Sequence, residues 1–293
     1  MLGGAQLAVG AAAIFARFAL EGAKPLAVAA ARLCIAAVVL LAIAAIRKAP
    51  ASPIMRPSRR LAILLVLAGF ALAVHFATWI ASLEYTTVAV STLLVASTPI
   101  WTAIYDAVVC RRGLSPASIT AFITGGAGLL AVVGFNRTAP PIAGHALLGA
   151  LLAIVGSLGM AAYLIVVRNA RKTLDTQTIV TRTYAWSALF LIGATAIGHQ
   201  TPPHLDDISA WGGILGMALI SQLLGHTAIN ASLRWFSPSA VSFTNLIEPV
   251  AAAALALLIF GEMLSPVAIA GAAILLASVA VVLREERSLE ISA

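Results

Sequence analysis

Charge is what this sequence has least of. Only 10% of its 293 residues are Asp, Glu, Lys or Arg, against roughly 25% in an ordinary soluble domain. That shortage excludes a water-soluble fold, because even a large one keeps most charged positions at its surface. Cysteine is scarce as well. Cys34 and Cys110 are the only two, each inside or at the end of an apolar run, so there is no disulfide framework and no metal-ligand spacing. Both read as small apolar filler. No Gly-rich stretch is followed by Lys-Ser or Lys-Thr, which removes the phosphate-binding loop of an ATPase. Neither a metal nor any other cofactor is expected. The longest clearly non-spanning segment is Arg47–Arg60, too short for an appended domain.

What is present is apolar: 61% hydrophobic residues and a mean hydropathy of +1.02. Lipid must be the solvent. Crossing a hydrocarbon core of ~30 Å takes ~20 apolar residues at ~1.5 Å each. Runs of that length lie at about 2–20, 25–46, 61–83, 87–110, 115–134, 144–167, 176–198, 209–233, 238–260 and 265–283. Between them stand turn and charge signals such as Lys24-Pro25, Arg111-Arg112-Gly113, Pro140-Pro141 and Ser237-Pro238. A β-barrel is excluded, since its strands would be ~10 residues long and alternate with period two. The first run has no basic segment before it, so it reads as a spanning helix and not as a cleaved signal. The fold class is therefore all-α integral membrane protein with ten transmembrane helices.

Lys and Arg in the short loops set the orientation. With the N-terminus inside, thirteen of them fall on the inner side and only Lys24 and Arg137 on the outer side. Both termini are expected in the cytoplasm, and the chain in a bacterial-type inner membrane. The net charge of +7 is then explained by topology and does not point to nucleic acid. One offset also recurs along the chain. Thr98-Pro99 matches Glu248-Pro249, Leu114-Ser115-Pro116 matches Leu264-Ser265-Pro266, and Arg32 matches Arg182, each 150 residues on. A five-helix unit repeated at this spacing enters the membrane from the opposite side the second time, giving the inverted repeat of secondary transporters. The units expected are residues 1–134 and 144–284, with a cytoplasmic tail at 285–293.

These repeats, with Pro in each fourth helix and Leu-Ser-Pro leading into each fifth, resemble the EamA-type branch of the drug/metabolite transporter superfamily. The second repeat carries the fuller signature: Glu248-Pro249, then Phe260-Gly261-Glu262-Met263-Leu264-Ser265-Pro266, then Gly271. The first departs from it, with Arg111-Arg112-Gly113 where Gly-Glu is usual. The resemblance covers essentially the whole chain. It implies a ten-helix basket with a central cavity lined mainly by helices 1, 3, 4, 6, 8 and 9. It also implies export of amino acids or related metabolites, as in exporters of the YddG type.

Candidate site residues follow from polar side chains at membrane depth, which are costly and seldom face lipid. Pro99 and Pro249 should kink helices 4 and 9 and free the carbonyls of Val95 and Asn245, making both prolines hinge candidates. Pro249 lies about 11 residues into its run, ~16 Å deep. Glu248 beside it is either a structural partner of the kink or a proton carrier and binder of cationic groups. Gln222, His226 and Asn230 recur at i, i+4 and i+8 on helix 8, and Ser242, Asn245 and Glu248 form a second stripe on helix 9. The other half offers His75 and Trp79 on helix 3 and Thr98 with Trp101 on helix 4, while helix 6 offers Tyr163. The aromatics can face an amine. Arg32 and Arg182 read as structural groups snorkelling to headgroups, and Arg17 similarly, with an exit-side anion contact as the alternative. Gly125, Gly126, Gly128, Gly271 and Ser278 read as close-packing positions.

An intramembrane enzyme is the rival class. Tyr105-Asp106 lacks a second intramembrane aspartate, Gly156-Ser157-Leu158-Gly159 lacks a serine-protease spacing, and no catalytic residue is assigned. A channel would need a charge ring or carbonyl filter, and neither stands out. The expectation is a secondary exporter of a small molecule, amino acids first, working by alternating access. Another metabolite or drug, such as a nucleotide sugar or lipophilic cation, is the alternative. Its partners are that solute and the bilayer, and a monomer suffices.

Overall fold

The computed structural model describes residues 2–46, 58–109, 111, 115–135, 145–171, 173–232 and 247–292, and every regular element among them is helical. The first apolar run forms α1 (Leu2–Gly10) and α2 (Ala12–Gly22), and the next two form α3 (Pro25–Ile46) and α4 (Arg59–Ser82). The fourth is divided into α5 (Val88–Val95) and α6 (Thr98–Val108). Then come α7 (Pro116–Phe135), α8 (Ala146–Ala170) and α9 (Thr176–Ile197). The eighth run is α10 (Ile208–Leu215), a π-helix over Gly216–His226 and α11 (Thr227–Ser232). α12 (Ile247–Phe260) and α13 (Pro266–Ser292) complete the chain. Six of these rods are long and apolar enough to cross a membrane. Val38, Ile123, Leu130 and Leu258 project outward at 63%, 70%, 70% and 80% exposure. Such an apolar belt is tolerable only against lipid.

Local chemistry sets the ends. The side chains of Ser58, Thr87, Asp175 and Asp207 accept the N–H groups of Leu61, Val90, Thr178 and Ala210, starting α4, α5, α9 and α10. Gly261, at φ 67°, ends α12 by turning left-handed. Its N–H reaches the Leu257 carbonyl at 3.0 Å, and the turn carries Glu262 back over the helix end. Arg111, 150 residues earlier, adopts the same left-handed turn at φ 53°. The departure from Gly at that position therefore keeps the backbone shape, at a cost of about 1–2 kcal/mol for a side chain there.

Pro99 does more than kink its helix. The α-helix stops at Val95 and restarts at Thr98, with Pro99 in the new first turn. The Val95 carbonyl that proline strands accepts the Thr98 hydroxyl at 2.8 Å. The break is docked on α8, where Ser157 Oγ lies 3.1 Å from Ser97 Oγ and 3.2 Å from Thr98 Oγ1. Pro249 is the third described residue of α12 and is buried. Asn245, whose carbonyl it should free, lies outside the described residues, as do Ser242 and the loop arginine Arg137. The eighth rod also departs from the regular helix expected, because its middle is π-helical, a form that favours functional sites.

Small residues let the rods approach. A Cβ on Gly159 would stand 2.9 Å from the Ala71 carbonyl oxygen of α4, and one on Gly213 2.4 Å from the Phe15 carbonyl oxygen of α2. α7 and α13 cross at Gly128 and Gly271, each leaving under 3 Å for a Cβ against the other's carbonyl oxygen. Thr124 and Ser278 hydroxyls meet at 2.9 Å in the same seam. Gly126 is a correction: nothing lies within 4 Å of a Cβ there, so it does not serve the packing. Rods 150 residues apart pack on one another, α3 on α9 and α7 on α13, and α5 of the fourth rod packs on α12 of the ninth.

Candidate functional site

The rods enclose a cavity of about 200 Å³. Of the residues singled out above, His75, Trp79, Thr98, Tyr163, Gln222, His226 and Glu248 line it, with Pro99 at the break of the fourth rod. Pro249 is buried but does not line it. Trp101 is not part of the wall either, and its indole N–H has no hydrogen-bond partner among the described residues. Asn230 lies in α11, and Asn245 is outside the described residues. Among the described residues, no three His, Cys, Asp or Glu side chains converge on a metal position.

Each polar wall group is held by a particular rod. His75 donates from Nδ1 to the Gly156 carbonyl at 2.9 Å, an approach that the glycine seam between α4 and α8 allows. Its ring lies parallel to Trp79, with centroids 6.1 Å apart. Gln222 and His226 come from the π-helix, which Ser221 pins to the Ala8 carbonyl of α1 at 2.7 Å. Glu248 sits in the first turn of α12 where Gly10 gives way: a Cβ on Gly10 would be 3.1 Å from the Glu248 carbonyl oxygen.

Arg32 and Tyr184 are among the wall residues missed in the sequence, because helices 2 and 7 were not counted among the cavity helices. Arg32 does not snorkel. It is fully buried, with its guanidinium 4.2 Å from the Phe76 ring centroid and 5.7 Å from that of Trp79. One Nη donates to Gln222 Oε1 at 2.6 Å. Its repeat mate Arg182 is half-buried and away from the cavity, so the symmetry of sequence is not a symmetry of role. A signal did exist: Arg32 stands among Ala27, Ala29, Ala30, Ala31, Ala36 and Ala37. Ala29 and Ala36, three before and four after Arg32, share its face and are fully buried, and small residues on one face mark where helices pack.

At one end of the bundle the ends of α2, α4 and α12 meet the start of α5. Arg17 Nη1 lies 3.6 Å from Glu262 Oε1 and donates to the Leu83 carbonyl at 3.2 Å. Glu262 Oε2 accepts the Val88 N–H at 2.8 Å. Phe18 and Phe260 lie beneath with centroids 5.5 Å apart and ring planes tilted by 53°, Arg17 lying over the latter. Burial pushes the Glu262 carboxyl above the ordinary glutamate range, with Arg17 and the α5 N–H groups opposing it. Asp175, in the loop before α9, is also partly buried, but the hydroxyl and N–H of Thr178 hold it below the usual carboxylate range.

The EamA-like transporter family model matches residues 1–134 and 147–284. A crystal structure of a protein for which no activity is stated shares the fold, with a TM-score of 0.67 at 16% identity over 99% of this chain and 97% of that one. No curated protein matches the chain.

Proposed function

Since the chain belongs to the EamA-like transporter family, whose members are transporters and not enzymes, we propose that it is a secondary transporter exporting amino acids or closely related metabolites by alternating access. It is a multi-pass membrane protein of a family that handles small molecules; the amino acid and the mechanism are our reading. The observation that carries them is the cavity itself. Its volume of about 200 Å³ suits a solute of amino-acid size better than a nucleotide sugar. Its walls hold a cation, Arg32, and a carboxylate, Glu248, among aromatic and aliphatic surfaces, the two charges a zwitterion needs.

Alternating access draws support from the seal of Arg17, Glu262, Phe18 and Phe260 at one end. On the charge bias of the loops that end is the outer one, with both termini cytoplasmic in a bacterial inner membrane. We read the ten rods as ten spans in two inverted repeats, residues 1–134 and 144–284, with a tail at 285–293. The mutual packing of rods 150 residues apart favours that reading, because a pseudo-two-fold axis brings equivalent helices together. Pro99 and Pro249 are the proposed hinges. A monomer suffices for this arrangement.

Uptake of a radiolabelled amino-acid panel into proteoliposomes, with and without an imposed proton gradient, tests the assignment. Saturable flux of at least one amino acid is the expected result. Flux of nucleotide sugars or lipophilic cations with no amino-acid flux would overturn the substrate class. The gradient dependence then reads the role of Glu248, since Glu248→Gln abolishes proton-driven accumulation only where the carboxyl carries the proton.

A further inference from the structure

Arg32 is an expensive residue with unused capacity. A guanidinium carries five N–H donors, and a cation at this depth is tolerated only when paired or hydrogen-bonded. Here one Nη donates to Gln222 Oε1, the other reaches the Met217 sulfur at 3.9 Å, and Nε has no hydrogen-bond partner among the described residues. Among the described residues no carboxylate lies within 4.0 Å of it. The Phe76 ring beneath it favours the charge and holds the plane of the group, while Gln222 fixes one edge. The guanidinium is thus oriented and desolvated on the cavity wall, with N–H donors left over and no carboxylate in direct contact. Glu248 faces the same space.

We infer that Arg32 is the anchor for a carboxylate of the transported solute, and that the solute is a neutral α-amino acid with an apolar side chain. This rests on the transporter reading above and names the chemistry of its site. The carboxylate takes the unused N–H donors in the charge-assisted geometry that guanidinium groups favour. The ammonium faces Glu248. The apolar remainder lies on Leu72, Val95, Met160 and Leu164, which are part of the same wall.

The test uses full-length protein in nanodiscs and, in parallel, in proteoliposomes. The probes are L-leucine and L-phenylalanine, their primary amides, which keep the ammonium and lose the carboxylate charge, and the corresponding amines without a carboxyl. Wild type should bind the acids about tenfold or more tightly than the amides. Arg32→Gln should bring that ratio close to one, and Arg32→Lys should retain part of it. The wild-type ratio needs no variant to fold, so the proposal stays exposed even where Arg32→Gln is unstable. Amides or amines binding as well as the acids, or no binding of any acid, overturns the anchor. Flux of the amines with no preference for the acids keeps the transporter reading and removes this one. Carboxylate-dependent binding lost in Arg32→Gln, without flux of any probe, keeps the anchor and removes the transporter reading.

Discussion

Removing Arg17 should open the seal, whereas neutralising Glu262 should not. The two side chains are 20% and 9% exposed and 3.6 Å apart. At an effective permittivity of roughly 20 their attraction is about 4–5 kcal/mol before desolvation. Burial still raises the Glu262 carboxyl above its ordinary value with Arg17 in place, so desolvation outweighs the attraction. Arg17→Gln leaves that carboxylate with only N–H partners on α5 and takes a donor from the Leu83 carbonyl. Breaking a fully buried pair this way costs about 3–5 kcal/mol. Discounted for the water that reaches Arg17, about 1–2 kcal/mol remains, a roughly 5- to 30-fold shift towards the open form. Glu262→Gln keeps the acceptor for Val88 and removes the desolvated charge, so the seal holds or tightens. The assay is the modification rate of Ala96→Cys, a cavity position, in a background lacking Cys34 and Cys110. A membrane-impermeant thiol reagent is added from the side of the seal. Arg17→Gln should speed labelling by the factor above, and adding Glu262→Gln should restore the slow rate. Equal acceleration by both single variants, or none by Arg17→Gln, would refute the reasoning.

The same carboxyl gives a pH dependence. Its raised value means the closed form binds more protons than an open form with Glu262 hydrated, so closure gains as pH falls from neutrality towards the ordinary value of 4.5 and weakens as pH rises past the raised one. Labelling from that side, corrected for thiolate content, should slow on acidification, and Glu262→Gln should abolish the trend. Thr98→Val removes the hydroxyl that satisfies Val95 and should destabilise the protein by about 1 kcal/mol in thermal unfolding, with Thr98→Ser close to wild type. Gly128→Leu should part α7 from α13 and lower the melting temperature by several degrees. Gly126→Ala, where a Cβ meets nothing, should leave it unchanged or raise it slightly.

Much of the framework was legible because hydrophobic run length and proline act locally. The runs mark the rods, and Pro99 marks the break with Val95 as the stranded carbonyl. The glycines of α7 and α13 mark a seam, Gly126 excepted. Cavity-wall positions were legible where polar residues interrupt apolar helices, as with His75, Gln222, His226 and Glu248. It was not legible where a long-range choice decided the outcome. Arg17 and Glu262 are 245 positions apart, and nothing local pairs them. Arg32 and Arg182 share a place in the repeat, yet one faces a cavity and the other does not, since only the packing of α3 on α9 and the π-helix chooses. A π-helix leaves no periodic trace that an α-helical reading would catch.

The joint between α5 and α6 has a kinetic consequence. Thr98 Oγ1 has three acceptors within reach, the Val95 carbonyl at 2.8 Å, the Ser157 carbonyl at 3.4 Å and the Ser157 hydroxyl at 3.2 Å. Ser97 Oγ likewise has the Leu94 carbonyl at 2.6 Å and the Ser157 hydroxyl at 3.1 Å. A rotation of α6 against α8 therefore exchanges one hydrogen bond for another and does not abandon any in hydrocarbon. Val95 borders the cavity, so water entering there takes over its carbonyl when Thr98 turns away. A joint built this way would move with low friction: the barrier to each small step would be set by trading equivalent bonds, about 1 kcal/mol apiece, and not by stripping a peptide group bare.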